Sequence, residues 1–125
     1  LPVVRPQTRH TYHLYVIRCE EPLVPWEGTD PAAPKRDQRG QPDGSLLRDR
    51  LRVHLQDLGV ATGLHYPTAL PLLPAYERLG HGPQDFPVAA AHQDRILSLP
   101  IYPELSDDQL TYVVEKIEAF YKIKG

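Results

Sequence analysis

The chain has 125 residues, a formal net charge of −2, a single cysteine, fourteen prolines and no methionine. That length suits one compact domain with a real core, and one cysteine rules out an internal disulfide framework. The charge gives no electrostatic reason to expect nucleic acid or an anionic membrane as partner, and no apolar run approaches the ~20 residues of a membrane span. The first residues lack the apolar core of a signal peptide, so the expectation is a cytoplasmic chain. The absent methionine leads us to expect a piece of something longer.

In chain order, LPVVRPQTR (1–9) reads as an entering arm. HLYVIRC (13–19) is rich in β-branched and aromatic residues and predicts a strand, apolar on both faces and so covered on both sides. Residues 21–44 hold five prolines, three glycines and many charges, which predicts a long loop insertion with Trp26 as its one large anchor. Ser45 is placed to cap a helix over 46–58. Leu47, Leu51, Leu55 and Leu58 form its apolar stripe, and Gly59 stands at its left-handed end.

The next stretch, GVATGLHYP (59–67), predicts a strand that delivers His65 and Tyr66 to its exit. LPLLPAYERLG predicts one or two short helical turns closed by Gly80. FPVAAAHQDRI predicts a third helix, and LSLPIYP a short strand or extended segment. The final helix opens on a Ser106/Gln109 capping box and repeats Leu110, Val113, Val114, Ile117, Phe120 and Tyr121 at helical spacing. The fold class is therefore α+β: a two-layer sandwich, with a small mixed or antiparallel sheet covered by helices, in a single domain over 1–125.

Self-sufficient catalysis is hard to find. Six histidines raise a metal site, but no cysteine or carboxylate cluster completes a ligand set, so packing or surface histidines are expected and no metal ligand is assigned. Ser45 and Ser106 are taken up as caps, and Ser98 lies in an apolar run. Cys19 falls mid-strand, where an inert buried thiol is expected. Lys35, Lys116, Lys122 and Lys124 read as surface lysines, none placed in the dry pocket that a Schiff-base lysine requires. His65 and Tyr66 are left with two open readings. Either they close a turn, or an imidazole and a phenol are offered to a diphosphate or a sugar hydroxyl.

Five segments in order carry a resemblance: HLYVIRC, LLRDRLRVHLQDLGVATGLHYP, LLPAYERLG, SLPIYPELSDDQ, and the last helix. From about His13 to Tyr121 the chain resembles the C-terminal small domain of the DegT/DnrJ/StrS sugar aminotransferases, which are fold-type I enzymes using pyridoxal phosphate. The resemblance implies a domain that covers the active site of an enzyme moving an amino group to a nucleotide-diphosphate keto sugar. The cofactor lysine would lie in an N-terminal domain that this chain lacks. It implies inactivity in isolation, no pyridoxal phosphate bound to this piece, and a homodimeric parent. His65 matches the histidine expected to face the nucleotide sugar, Tyr66 its neighbour, and His13 the histidine that opens the first strand, expected near the active-site mouth, whereas Ser98, Leu99 and Pro100 match a structural segment. The 21–44 insertion departs from the compact hairpin expected there. Two other readings stand beside this one: a stand-alone, non-catalytic module that binds a sugar nucleotide or a protein, and an interaction domain using Trp26 and the insertion.

Overall fold

The computed structural model describes residues 3–20 and 46–122. The 21–44 insertion with Trp26 and Lys35, the expected cap Ser45, and Lys124 lie outside the described residues. The described elements run β1 (Tyr15–Arg18), α1 (Leu47–Asp57), three 3-10 turns (Leu70–Leu72, Pro74–Leu79, Pro83–Asp85), α2 (Pro87–Gln93), β2 (Ile96–Leu99) and α3 (Asp107–Lys122). Helices and an antiparallel strand pair make it α+β, as the sequence implies. Among the described residues no helix is long and apolar enough to cross a membrane.

Local chemistry explains the helix limits. Leu46 has extended backbone, and its carbonyl accepts from the amides of Asp49 and Arg50, which starts α1 there. At the other end the Gly59 amide donates to Gln56 and the Val60 amide to Leu55, at 3.0 and 2.8 Å. This is the paired closure of a Schellman motif, and it needs a left-handed residue, which Gly59 supplies at φ 78°. Val60 and Leu55, the apolar pair that accompanies the motif, are both buried. Gly80 closes the second 3-10 turn in the same left-handed conformation. The Ser106/Gln109 box forms as expected, with each side chain accepting from the other residue's amide.

The sheet differs from expectation in an instructive way. β1 and β2 pair antiparallel, with Val16 opposite Ser98 and Ile17 opposite Leu97, and the Cys19 amide extends the pairing to the Arg95 carbonyl at 2.8 Å. Residues 60–65, expected as a strand, contribute a single bridge in which Gly63 and Ser98 exchange amide-to-carbonyl bonds of 3.0 and 2.8 Å. The Schellman closure has already committed the Val60 amide to α1, so the ladder cannot begin where the apolar run does.

Among the described residues, only one face of the strand pair is covered by helices. Leu97 joins Cys19, Leu47, Leu51, Leu55, Val60, Val113 and Phe120 in the core, and Ile17, Leu64, Leu99, Ile117 and Tyr121 pack against it. Burying such side chains contributes roughly 1.5–3 kcal/mol each. α3 lies on α1, fastened by the Tyr112 hydroxyl donating to the Leu58 carbonyl and His54 Nε2–H donating to the Lys116 carbonyl. The opposite face carries Val16, 45% exposed, so β1 is not sandwiched as its apolar composition suggests. Leu110 and Val114, on the predicted stripe of α3, are exposed as well.

Candidate functional site

The uncovered sheet face is where the chemistry gathers. Strand residues alternate between faces, so with Leu97 in the core Ser98 points the other way. It is nonetheless only 4% exposed, because the ring of His65 lies across it. His65 Nδ1 and Ser98 Oγ are hydrogen-bonded at 2.9 Å. The Gly63–Ser98 bridge brings the two residues to the same point, since Gly63 is two residues before His65. Gly63 has ordinary backbone angles and is small for another reason. A Cβ there would come within 2.7 Å of His65 Cε1 and 3.3 Å of Nδ1, so the imidazole occupies the place a side chain would take.

With Nδ1 engaged, Nε2 has no hydrogen-bond partner among the described residues, and the residue is exposed. If Ser98 donates to Nδ1, Nε2 carries the proton and donates outward; in the imidazolium both nitrogens donate, one to Ser98 and one outward. Tyr66 stands beside it at 70% exposure, its ring edge-on to the imidazole with centroids 5.5 Å apart. A phenol and a fixed imidazole side by side can bind an anionic or hydroxyl-rich group. Ser98 holds the ring of His65 at the end of the strand signal, and Tyr66 touches that ring edge-on while staying largely exposed.

His13 is not part of this pair. It is exposed, two residues before β1, and three residues along the strand from Val16, the partner of Ser98, hence roughly 10 Å away along the chain. Sequence reasoning missed Ser98, which it set aside as structural. Its signal was the lone hydroxyl among apolar neighbours in LSL, which marks a buried polar group in need of a partner.

The remaining candidates resolve simply. Cys19 is buried and its thiol is pushed up by burial, with Arg48 and a hydrogen bond from Tyr121 pulling the other way, so a thiolate is disfavoured. His54 bridges α1 to α3, His10 accepts from the Tyr12 amide, and His92 is exposed on α2. Among the described residues no three His, Cys, Asp or Glu gather into a metal-binding group. Pyridoxal phosphate finds no match among them either. Lys116 lies over the Tyr112 ring at 4.6 Å and Lys122 pairs with Glu118 at 3.0 Å, both on the surface of α3 and neither in a pocket.

Comparison with known proteins decides the family. Residues 39–118 match the family model described as the DegT/DnrJ/EryC1/StrS aminotransferase family. The chain belongs to that family. Over 119 residues it is 36% identical to the erythromycin biosynthesis sensory transduction protein EryC1 of Saccharopolyspora erythraea, covering 95% of this chain and 25% of that protein. It is 31% identical to the dTDP-3-amino-3,4,6-trideoxy-alpha-D-glucose transaminase of Streptomyces venezuelae, over 94% of this chain and 24% of that one. Among solved structures it is similar to the putative sugar aminotransferase Spr1654 from Streptococcus pneumoniae, solved in its PMP form. The TM-score there is 0.59 at 27% identity, over 88% of this chain and 22% of that one. The same pneumococcal protein is also solved in apo and PLP forms. This DegT-family chain spans about a quarter of the length of the relatives it matches.

Proposed function

We propose that residues 1–125 form the C-terminal, substrate-covering domain of a pyridoxal-phosphate-dependent aminotransferase acting on a nucleotide-diphosphate keto sugar, and that the domain is inactive without the N-terminal domain that holds the cofactor. In that enzyme the cofactor supplies the electron sink for amino-group transfer. This chain's part is to bind and orient the sugar nucleotide and to exclude water from it.

The observation that carries the reading is the His65–Ser98 pair: the imidazole of an exposed residue held at 2.9 Å through Nδ1, with the largely exposed Tyr66 ring edge-on beside it. The Streptomyces venezuelae relative, whose name gives a dTDP-linked amino sugar, supports the substrate class. His65 Nε2 donates to the diphosphate or a sugar hydroxyl, and the Tyr66 hydroxyl assists. The enzyme's partner is a second copy of itself, joined mainly through the N-terminal domain. His13 sits at the rim and contributes less.

The test is steady-state kinetics in the full-length protein carrying this chain. His65→Ala raises KM for a dTDP-linked keto sugar roughly tenfold, the worth of a hydrogen bond to a charged group, with a smaller change in kcat. Unchanged kinetics remove the site from the reading. A sugar nucleotide bound tightly by the 125-residue chain alone, with no transaminase activity in any longer product of its gene, would favour the stand-alone binding module instead.

A further inference from the structure

The segment that carries the site is held at both ends, and the two holds meet at one buried cation. Arg48, in the first turn of α1, is 0% exposed. Its Nε pairs with Asp49 Oδ1 at 2.8 Å, and its Nη1 donates to the Gln93 carbonyl at 2.9 Å, with a longer contact of 3.5 Å to the Ile96 carbonyl. Gln93 ends α2 and is itself buried. Its side-chain Oε1 accepts from the Ala69 amide at 2.7 Å. Ile96 opens β2 two residues before Ser98, which binds His65. His65 and Ala69 are therefore the two feet of a five-residue arch with Tyr66 exposed on it. One foot stands on Ser98 and the other on Gln93, and Arg48 grips the main chain beneath both.

A buried guanidinium is an expensive way to fill space, because an apolar side chain of similar volume would spare the desolvation cost. Its planar fork does what an apolar group or a lysine cannot: it addresses a carboxylate and two carbonyls of separate elements from one fixed plane. We propose that Arg48 and Gln93 are positioning residues for the His65–Tyr66 site, setting the height and orientation of the arch from behind without touching the ligand. The proposal rests on the reading of His65 and Tyr66 given above for its use, but not for its geometry.

The experiment is NMR on the full 125-residue chain, comparing Gln93→Met, which keeps length and loses the acceptor, with Gln93→Glu, which keeps an acceptor. Gln93→Met is expected to speed Ala69 amide exchange roughly tenfold and to shift the ring nitrogens of His65, while Gln93→Glu restores both signals. Should Gln93→Met fail to fold, Ala69→Pro removes the same bond from the donor side. Ala69 has φ −60°, which proline adopts. It is expected to shift the His65 ring nitrogens in the same direction. His65 ring signals identical to the unmodified chain in the folded acceptor- or donor-deleted variant, or equal changes in Gln93→Met and Gln93→Glu, would overturn the proposal. If instead the ring signals move as expected while His65→Ala leaves KM unchanged in the full-length protein, the positioning role stands and the substrate reading falls.

Discussion

Leu97 and Ser98 are neighbours in β2, both hidden from solvent, and hidden for opposite reasons. Leu97 lies in the core cluster with apolar residues of α1 and α3. Ser98 lies on a face that no helix among the described residues covers, and it is hidden by His65, to which it is hydrogen-bonded. The comparison teaches that burial alone does not distinguish core from site. One residue is buried by apolar packing. The other is buried with a polar side chain hydrogen-bonded to it.

Three substitutions break or sharpen that comparison. Leu97→Ala opens a cavity between the sheet and α1, and should lower unfolding free energy by about 3 kcal/mol in urea titration. A loss under 1 kcal/mol would mean that Leu97 is not central to the core. Ser98→Ala removes one hydrogen bond and little volume. About 1 kcal/mol of stability should go, while the His65 ring nitrogens shift in an NMR spectrum. If the spectrum stayed still, the two faces would not differ as described.

The smallest stability effect is expected at Gly63. Its added methyl meets the far end of the His65 side chain, which swings aside and gives up the Ser98 bond; the methyl's restriction of the unfolded chain offsets part of that loss, so Gly63→Ala should cost only about 0.5 kcal/mol. It should nonetheless displace the ring and weaken ligand binding about as much as His65→Ala does. The double variant is the sharper measurement: once His65 is alanine, Gly63→Ala should have no further effect on binding. Additive losses would show that the methyl acts on something other than the imidazole.

Much of the fold was legible because its signals are local. The Gly59 and Gly80 caps, the Ser106/Gln109 box and the stripe Leu47, Leu51, Leu55 each concern residues within a turn of one another, where 3.6-residue spacing and side-chain chemistry suffice. The failures share a cause too. The apolar run after Gly59 reads as a strand, yet strand formation depends on free backbone partners, and the Val60 amide was already spent on α1. The composition of β1 reads as doubly covered, yet what covers its second face is no property of the strand itself. On α3, periodicity marks a stripe wider than α1 can cover, so Leu110 and Val114 stay exposed.

The sequence by itself determined where the helices lie, the family, and the suspicion attached to His65 and Tyr66, because each is written in residues close together or in motifs kept in order; the helix expected through Ile96 instead ends at Gln93, and Ile96 opens β2. Only the tertiary structure decided that His65 belongs with Ser98, 33 residues away, that Gly63 is small to admit an imidazole, and that Arg48 sits buried beneath both feet of the arch. Those contacts cross long stretches of chain. Which polar groups meet there depends on how α1, α2 and β2 pack, and packing is set by the whole core at once rather than by any one segment.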